Sequence, residues 1–261
     1  DILADVHEAV GSGRREIQLL GQIVNHYQAP DDPGCDFAQL LSDVDGVHGV
    51  ERIRFASPHP RHTGARLIQA VRDLPKVCKH MHLPVQSGST DVLRAMRRRH
   101  TREEYLDLTC RIREAIPAAT LSTDIIVGFP GETTKDFDQT LSLVETVQYH
   151  SMFSFKYSVR PNTLASTRLP DDVRSEEKTA RIVALQSLQR GIQAQLHQRL
   201  VGTTMDVLVD AESRRHEAEI SGRTTGNTVV NLPIPAGTEA RGLEAWIGRT
   251  VPVTIRRAGP N

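Results

Sequence analysis

The chain has 261 residues, enough for one large domain plus a small one or for two of medium size, and with 38% hydrophobic and 25% charged residues its composition is typical of a globular protein. Its 32 basic and 32 acidic side chains balance, so overall charge does not predict nucleic-acid binding, and any RNA site must be a local patch. The sequence contains no apolar run of about 18 residues and no visible signal peptide, and it therefore predicts no membrane-spanning segment.

Short apolar runs alternate with amphipathic stretches over roughly the first 190 residues. The runs predict strands at Glu16–Leu20, Arg52–Ala56, His80–Val85, Leu121–Phe129 and Ser151–Tyr157. The stretches between them predict helices at Asp36–Asp45, Thr63–Arg72, Thr90–Arg98, Thr101–Ile116 and Thr133–Val147. Repeated strand–helix units of this length indicate a parallel sheet with right-handed crossovers, open or closed into a barrel. In either form the ligand site lies beyond the carboxyl ends of the strands.

The pattern changes near residue 200. Asp172–Leu200 predicts one long helix, with an apolar stripe at Ile182, Leu185, Leu188, Ile192 and Leu196. Short strands follow at Met205–Val209, Glu217–Ser221, Thr228–Asn231 and Thr250–Ile255. We therefore expect an α/β domain over 1–197, ending in a linking helix at about 172–200, and a small OB-like β-barrel over 198–261. Both ends of the chain look cut, and we expect a fragment.

The three cysteines, Cys35, Cys78 and Cys110, are far apart, with neither CxxC nor CxxxCxxC spacing. This spacing predicts neither a zinc site nor an iron–sulfur site. Three scattered cysteines also argue against a disulfide framework, and we expect a reducing cytoplasmic location. His59, between two prolines, has no partner at metal-ligand spacing, so we interpret it as a loop residue and predict no metal site.

The segment 124–133, DIIVGFPGET, is the strongest single motif. An apolar strand runs into a Gly-Pro-Gly turn, and Glu132 and Thr133 open the next helix. Glycines there let a ligand approach the backbone, and a helix N-terminus offers unpaired N–H groups. A tight strand-to-helix turn without a ligand has the same pattern, so the segment alone does not decide between the two.

Two further motifs end predicted strands in polar groups. HLPVQSGS at 82–89 places an amide and two hydroxyls at the end of a strand, where β/α enzymes have their active site. A hydrogen-bonded loop that caps the next helix would have the same sequence pattern. The basic run at 96–100, MRRRH, is more simply a solvated helix end. In FKYSVRPNT at 155–163, Lys156 and Arg160 can hold a carboxylate or phosphate, or be ordinary surface charges.

The order and spacing of six segments are more specific than any one of them. The segments are LLGQIVN, RIRFASPHP, HLPVQSGS, LRAMRRRHTREEYL, IPAATLSTDIIVGFPGET and FSFKYSVRPNT. Together they resemble the radical-SAM methylthiotransferase family, and the first and third look most like its MiaB-type branch, which modifies adenosine next to the tRNA anticodon. The tail segments VLVD, SGRT and NTVVN resemble the TRAM domain, the RNA-binding β-barrel of that family.

The resemblance implies an α/β fold with a partial TIM-like (β/α) radical-SAM barrel, truncated at its N-terminus and followed by a small all-β TRAM barrel. It implies S-adenosylmethionine (SAM) and two [4Fe–4S] clusters in the full-length protein, which methylthiolates C2 of N6-isopentenyladenosine. The six cluster-binding cysteines of the family are absent here. We therefore expect no cluster and no catalytic residue in this fragment, which should be inactive alone. Its expected partners are a tRNA anticodon stem-loop and the missing N-terminal part.

The resemblance also implies site residues. Those expected near SAM or the barrel mouth are Gln86, Ser87, Gly88, Asp124, Gly128 and Glu132. Those expected at the substrate or RNA rim are Arg97, Lys156, Tyr157 and Arg160 on the barrel, and Arg223 and Arg256 on the tail. The basic residues of the tail are arginines, among them Arg214, Arg215, Arg249 and Arg257. Trp246 either stacks on a base or belongs to the core of the small barrel.

Two departures from the family pattern affect the rim. The family has LLGQNVN where this chain has Ile23, and SPRPGTPA where it reads SVRPNTLA at 158–165. Three alternatives remain open. The first is a sister enzyme that acts on threonylcarbamoyl-adenosine or on a ribosomal-protein aspartate. The second is a non-radical TIM-barrel enzyme such as an aldolase, with Lys156 as its only candidate lysine. The third is a non-catalytic RNA-binding module.

Overall fold

Five parallel strands with helices between them form the first part of the chain. The structure, a computed structural model, describes residues 2–213, 219–234 and 243–259. The strands are β1 (Glu16–Leu19), β2 (Arg52–Phe55), β3 (His80–His82), β4 (Thr120–Val127) and β5 (Ser151–Lys156). The helices are α1 (Ile2–Gly11), α2 (Phe37–Asp45), α3 (Ala65–Asp73), α4 (Thr90–Ala95), α5 (Arg102–Ala115), α6 (Thr134–Val147), α7 (Leu164–Arg168) and α8 (Ser175–Gln198).

The strands follow one another in sequence order along a single wall. β1 pairs with β2, and β3, β4 and β5 pair in that order, all in parallel. Ile53 of β2 joins the two sheets, because its N–H donates to the Lys76 carbonyl at 2.8 Å and its carbonyl accepts from the Cys78 N–H at 2.9 Å. Sequential parallel strands with helical crossovers form a partial (β/α) barrel, which confirms the predicted α/β class.

Side chains alternate between the two faces of this wall. The face under the helices is apolar, with Ile53, Met81, Leu121 and Ile125 fully buried. The opposite, concave face is polar and carries Glu16, Gln18, Arg52, Arg54, His80, His82, Ser122 and Asp124. Polar side chains on an inner face are unusual for a closed barrel core, and they mark the concave face as the place where polar ligands can be held.

Local chemistry explains where the elements begin and end. The predicted capping box of α5 is present, since the Thr101 side chain accepts from the Glu104 N–H and the Glu104 carboxylate accepts from the Thr101 N–H. β3 ends three residues earlier than predicted. Beyond His82 the Thr123 hydroxyl replaces backbone groups as the hydrogen-bond partner of this segment. It donates to the Leu83 carbonyl at 2.9 Å and accepts from the Val85 N–H at 3.0 Å.

Two helices differ from the prediction. α4 ends at Ala95 rather than Arg98, because Arg97 adopts a left-handed backbone with φ 59° that closes the helix. The short helix α7 was not predicted, as five residues give no measurable periodicity. The long helix α8 packs on β5 and α6 with Leu185 and Ile192 buried, as the apolar stripe predicts. Among the described residues no helix is both long and apolar enough to cross a membrane.

The tail forms an antiparallel sheet with its own small core. Its strands are β6 (Thr204–Glu212), β7 (Glu219–Thr224), β8 (Val229–Pro233) and β9 (Thr250–Thr254), in the spatial order β8-β7-β6-β9. Val207, Val209, Ile220 and Leu232 are its buried residues, and Trp246 packs against them. Within the described ranges the four strands form a curled antiparallel sheet, a half-barrel, in the region where we expected the small OB-like barrel. The predicted strand at 217–221 begins at Glu219, and 217 and 218 lie outside the described residues.

Two arginines of β2 hold the tail sheet against the barrel. Arg52 donates to the Arg223 carbonyl at 2.6 Å and to the Asp206 carbonyl at 2.9 Å. Arg54 donates to the Thr224 carbonyl at 2.8 Å and pairs with Glu16 at 2.9 Å. Both arginines are buried.

The tail sheet docks at the amino ends of the barrel strands. Arg52 is the first residue of β2, and Thr120, the first of β4, donates to the Gly226 carbonyl at 2.8 Å. The carboxyl ends of the strands, where ligands of β/α proteins bind, lie at the opposite end of the barrel and are left free by this contact.

We predict that Arg54→Met lowers the free energy of unfolding by about 2–4 kcal/mol, because it removes the hydrogen bond of a buried guanidinium to the Thr224 carbonyl and leaves the partly buried Glu16 carboxylate without its ion-pair partner. Chemical denaturation of the 261-residue chain measures this change. Arg94→Met is the matched control, since Arg94 is exposed and its substitution should change stability by less than about 0.5 kcal/mol. Equal stability of the two variants would contradict the role given to Arg54.

Candidate functional site

The carboxyl ends of β3, β4 and β5 open into a cavity of about 450 Å³. Its walls come from the segments after β3 and β4, from the end of α4 and from α7. Apolar and cationic side chains alternate around it, among them Gln86, Arg97, Arg98, Ile126, Phe129 and Arg168. A cavity of this size with convergent polar groups is the usual form of a small-molecule site.

Gln86 sits at the centre of this end of the barrel in a strained backbone conformation. Its φ is 75°, although glutamine strongly disfavours the left-handed region. The backbone is held by two hydrogen bonds, from the Gln86 N–H to the Asp124 carbonyl and from the Ile126 N–H to the Gln86 carbonyl, both 2.9 Å. Such strain costs about 1–3 kcal/mol and persists where the surroundings fix it. The backbone of the buried Gln86 is therefore fixed at the cavity wall.

In the basic run after α4, Arg98 is more deeply placed in the cavity wall than Arg97, the residue predicted for the site. Arg97 is the exposed residue whose backbone closes the helix, whereas Arg98 is half-buried. Burial lowers the pKa of Arg98, and the Asp124 carboxylate opposes that shift. Both arginines line the cavity, but Arg98 is the more buried of the two, and the charge of Asp124 acts on it. Three consecutive arginines in the sequence give no signal for choosing among them.

Ser87 and Gly88 face α6 rather than the cavity. The Gly88 N–H donates to the Thr140 hydroxyl at 2.9 Å, and Ser87 is fully buried with its hydroxyl 3.5 Å from the same group. A Cβ at position 88 would lie 2.4 Å from the Thr140 Cα. The glycine thus permits close packing of the QSGS segment on α6. Ser87 and Gly88 therefore anchor the segment that carries Gln86 to this helix.

Gly128 and Glu132 lock the GFPGE turn to α8. The Glu132 carboxylate is buried and accepts from the Gly128 N–H at 2.6 Å and from Arg181 at 2.7 Å. Burial raises the pKa of Glu132, and the Gly128 N–H and Arg181 act in the opposite direction. Gly128 has φ 71°, and a Cβ there would lie 2.3 Å from the Lys178 Cγ. Both residues belong to the frame of the cavity and do not line it.

The predicted rim residues at the end of β5 and after it point in different directions. Lys156 reaches across to the Thr179 hydroxyl on α8 at 3.3 Å, on the outer face of the wall. The Tyr157 ring packs edge-on against Phe129 at 5.1 Å, with the Lys178 ammonium 5.3 Å from its centre. Arg160 is exposed. Of these predicted rim residues, Tyr157 supports the cavity wall through Phe129, Arg160 is open to solvent, and Lys156 faces away.

Asp124 is the predicted residue that faces the concave side. Its side chain is 27% exposed, and its Oδ1 lies 3.4 Å from His82 Nε2. Beside it on β5, Phe153 and Phe155 are exposed by 60% and 53% although they are large and apolar. A carboxylate, two open aromatic rings and the nearby Gln86 and Arg98 can together hold a ligand with a flat ring, hydroxyl groups and an acidic group.

The arginines of the tail occupy separate surfaces. Arg223 pairs with Asp210 at 3.2 Å, and Arg256 lines a groove of about 660 Å³ between β8 and β9 together with Arg257. The Arg249 guanidinium lies 5.6 Å from the centre of the Trp246 ring. The two other predicted residues, at positions 214 and 215, lie outside the described residues.

The three cysteines do not come together. Cys78 is buried, where burial raises the pKa of its thiol, whereas Cys110 is exposed and Cys35 is half-buried. Over residues 2–213, 219–234 and 243–259, no group of three or more His, Cys, Asp or Glu side chains could hold a metal ion. The ligands of an iron–sulfur cluster are therefore not assembled in the described part of this chain.

A second large cavity lies beside the unpaired edge of β1. It measures about 740 Å³ and is lined by α1, β1 and the segment that follows β1. Leu20 and Ile23 are exposed there by 75% and 41%. An unpaired strand edge with apolar neighbours is a surface that other chain segments readily cover.

The chain is similar to known proteins along its whole length. Residues 2–144 match the radical SAM superfamily, and residues 198–261 match the TRAM domain. Three relatives share the name tRNA-2-methylthio-N(6)-dimethylallyladenosine synthase. They come from Geotalea uraniireducens (44% identical over 261 residues), Solibacter usitatus (43% over 260) and Bordetella petrii (44% over 264). Each match covers 100% of this chain and 57%, 57% and 53% of the relative, so the chain spans little more than half of their length.

A solved structure shares the fold. Coproporphyrinogen III oxidase (HemN) from Escherichia coli, described as a radical SAM enzyme, superposes with a TM-score of 0.55 over 96% of this chain and 63% of its own. Its sequence is 14% identical, so the likeness concerns the fold alone. The two matched families confirm the resemblance drawn from the motifs.

We predict that Glu132→Ala lowers the free energy of unfolding by about 1–3 kcal/mol, because it removes one of the two carboxylates that pair with the buried Arg181, leaving Glu177, and also the acceptor of the Gly128 N–H. Thermal and chemical denaturation measure the loss. Asp107→Ala, which breaks an exposed helical pair with Arg111, is the control and should cost no more than about 0.5 kcal/mol. A Glu132→Ala variant as stable as this control would mean that the carboxylate has a role other than holding α8.

Proposed function

The chain belongs to the radical SAM superfamily, and from that membership we propose that it is the barrel and TRAM part of a tRNA methylthiotransferase. The proposed reaction is methylthiolation of C2 of N6-isopentenyladenosine next to the anticodon. The observation that supports it most is the 44% identity over all 261 residues to the tRNA-2-methylthio-N(6)-dimethylallyladenosine synthase of Geotalea uraniireducens. We also propose a division into a barrel with its linking helix over 1–197 and a TRAM domain over 198–261, in line with the TRAM match from residue 198.

The cavity at the carboxyl ends of β3–β5 fits SAM. Asp124 does not line this cavity but lies two residues before the lining residue Ile126, on the same face of β4. Its carboxylate is suited to the ribose, since carboxylates hold the hydroxyls of nucleoside ligands. Arg98 is suited to the methionine carboxylate through paired N–H groups. Ile126 and Phe129 offer an apolar wall to the adenine, and Gln86, whose backbone is held in place, adds an amide group. Bound SAM supplies, with an iron–sulfur cluster, the hydrogen-abstracting radical of this superfamily, and these residues bind and orient it.

The iron–sulfur clusters do not fit the described residues, which assemble no set of cluster ligands. We propose that two [4Fe–4S] clusters are held by the part of the relatives that lies outside the match. That part is the first proposed partner of this chain, and the cavity beside β1, with exposed Leu20 and Ile23, is suited to receive it. The chain alone is therefore proposed to be inactive.

The second proposed partner is a tRNA anticodon stem-loop. Arg223 and Arg256 on the tail sheet offer guanidinium groups to phosphates, and Arg97 and Arg160 do so near the cavity mouth. Because the overall charge is zero, the affinity must come from these local patches. A tRNA substrate places the proposed site of action in the cytoplasm.

We predict that a tRNA anticodon stem-loop binds the 261-residue chain with an affinity that falls as salt rises, since phosphate contacts release counterions. Arg256→Ala should flatten the slope of log affinity against log salt by about one unit. Arg223→Ala should flatten it less, because Asp210 already neutralises part of that charge. Fluorescence anisotropy at several salt concentrations measures the slopes. Arg111→Ala, on the outer surface of α5, is the matched control and should leave the slope unchanged. No detectable binding at low salt would refute RNA docking by this chain.

The activity itself is testable by joining the chain to the N-terminal part of the Geotalea relative, in place of that protein's own matching segment. Expressed in a bacterium that lacks the enzyme, the chimera should restore 2-methylthio-N6-isopentenyladenosine in tRNA, and the 261-residue chain alone should not. Liquid chromatography with mass spectrometry of digested tRNA measures the product. The intact relative is the positive control. A folded, cluster-containing chimera that modifies threonylcarbamoyl-adenosine, or nothing, would contradict the proposal.

A further inference from the structure

A row of polar side chains crosses the concave face from β3 to β4, joined by hydrogen bonds through Ser122 and ending in a contact between His82 and Asp124. His80 Nε2 lies 3.0 Å from the Ser122 hydroxyl, and the same hydroxyl lies 2.9 Å from His82 Nδ1. The other nitrogen of His82, Nε2, lies 3.4 Å from Asp124 Oδ1. Nothing in the roles described so far requires two histidines and a serine at these positions.

The proton positions in this row follow from its two ends. His82 Nε2 is the ring nitrogen in contact with the Asp124 carboxylate, and because a carboxylate only accepts, this contact favours the tautomer with its hydrogen on Nε2. In a neutral ring His82 Nδ1 is then an acceptor, and it takes the single hydrogen of the Ser122 hydroxyl. Ser122 in turn accepts from His80 Nε2–H. Every group in the row has one consistent role, which fixes the ring orientation of His82.

The surroundings hold His80 and His82 in place. Burial lowers the pKa of His80 to about 3, and the charge of Arg54 is the next cause, so this ring is neutral at physiological pH. Ser122 is 2% exposed. On the open side, the Phe153 ring stands edge-on to His82 at 6.3 Å.

Asp124 lies between two partners of different kinds. His82 approaches its Oδ1, and the nearby Arg98 is a cation on the side of the cavity. Oδ2 accepts no hydrogen bond from the residues that the structure describes. Because the His82 ring is itself held by Ser122, its contact with Oδ1 restricts rotation of the Asp124 carboxylate. The row therefore keeps one carboxylate oxygen available to a ligand.

We propose that the row His80–Ser122–His82 positions Asp124 so that its carboxylate accepts hydrogen bonds from the vicinal diol of a bound nucleoside. His82 is thus a positioning residue for the ribose of the cofactor, acting through Asp124. The proposal rests on the proposed function in that it requires a nucleoside to bind at the Gln86 cavity. Pre-organised groups of this kind act by removing the cost of orienting the acceptor at the moment of binding.

The test measures the preference of the 261-residue chain for adenosine over 2′,3′-dideoxyadenosine, which lacks the diol. Ligand-observed NMR titration measures both affinities. The unmodified chain should prefer adenosine by about tenfold, the worth of one hydrogen bond to a charged group. His82→Phe should reduce this preference to within about twofold while leaving the affinity for dideoxyadenosine unchanged. His82→Gln, which keeps an N–H donor, should restore most of the preference.

Two further variants separate positioning from general damage. Ser122→Ala removes one hydroxyl from a buried site and should reduce the preference by about threefold if the row orients His82. In a double-mutant cycle, His82→Phe should have no effect once Asp124 is alanine, because it acts only through that carboxylate. His48→Phe, at an exposed position outside the barrel face, is the control and should retain the full preference.

The outcomes distinguish this inference from the proposed function. If the unmodified chain binds both nucleosides equally, or if His82→Phe retains the preference, the positioning role is overturned and the cofactor cavity stands. If His82→Phe weakens both nucleosides equally in a folded protein, the role of His82 is structural and the inference fails. If the unmodified chain binds neither nucleoside, the assignment of the cavity fails, and the inference fails with it.

Discussion

The two guanidinium groups of Arg52 and Arg54 are the interaction on which the arrangement of the molecule depends. They occupy the concave face of the barrel at the amino ends of the strands, where an uncompensated charge would be costly to bury. Backbone carbonyls of the tail sheet satisfy them. The tail therefore closes one end of the barrel, and the polar concave face remains accessible from the end at which Gln86 and Asp124 lie.

A second constraint fixes the open end. The buried pair of Glu132 and Arg181 ties the turn after β4 to α8, and Lys178 fills the space above Gly128 that any side chain would occupy. α8 begins at this contact and runs to the tail sheet, so one helix connects the cavity frame with the proposed RNA-binding domain. The glycine and acidic residue of the strongest sequence motif thus act as structural supports, and the ligand groups are supplied by neighbouring segments.

The sequence predicted the fold more completely than the site. Strand and helix periodicity located β1, β2, β4, β5 and α8 to within a few residues, because local apolar patterns reflect burial on one face. Periodicity gave wrong element ends in two places. Beside β3 the Thr123 hydroxyl takes the place of a backbone hydrogen-bond partner, and after α4 the left-handed backbone of Arg97 ends the helix. Lys156 is adjacent in sequence to the cavity segment, yet its strand position sends it to α8, a consequence of the two-residue alternation of β-structure.

By itself, the sequence determined the family, the α/β class followed by a β-rich tail, and the segments that meet at the carboxyl ends of the strands, because these depend on residue order and periodicity. Only the tertiary structure decided which side chains in those segments share a cavity. Ser87, Gly88 and Glu132 turn inward to support it, Arg98 is more buried in its wall than Arg97, and His80 and His82 join Ser122 across strands. The two histidine contacts with Ser122 link residues 42 and 40 positions apart, and they exist only once parallel pairing has set the register between β3 and β4.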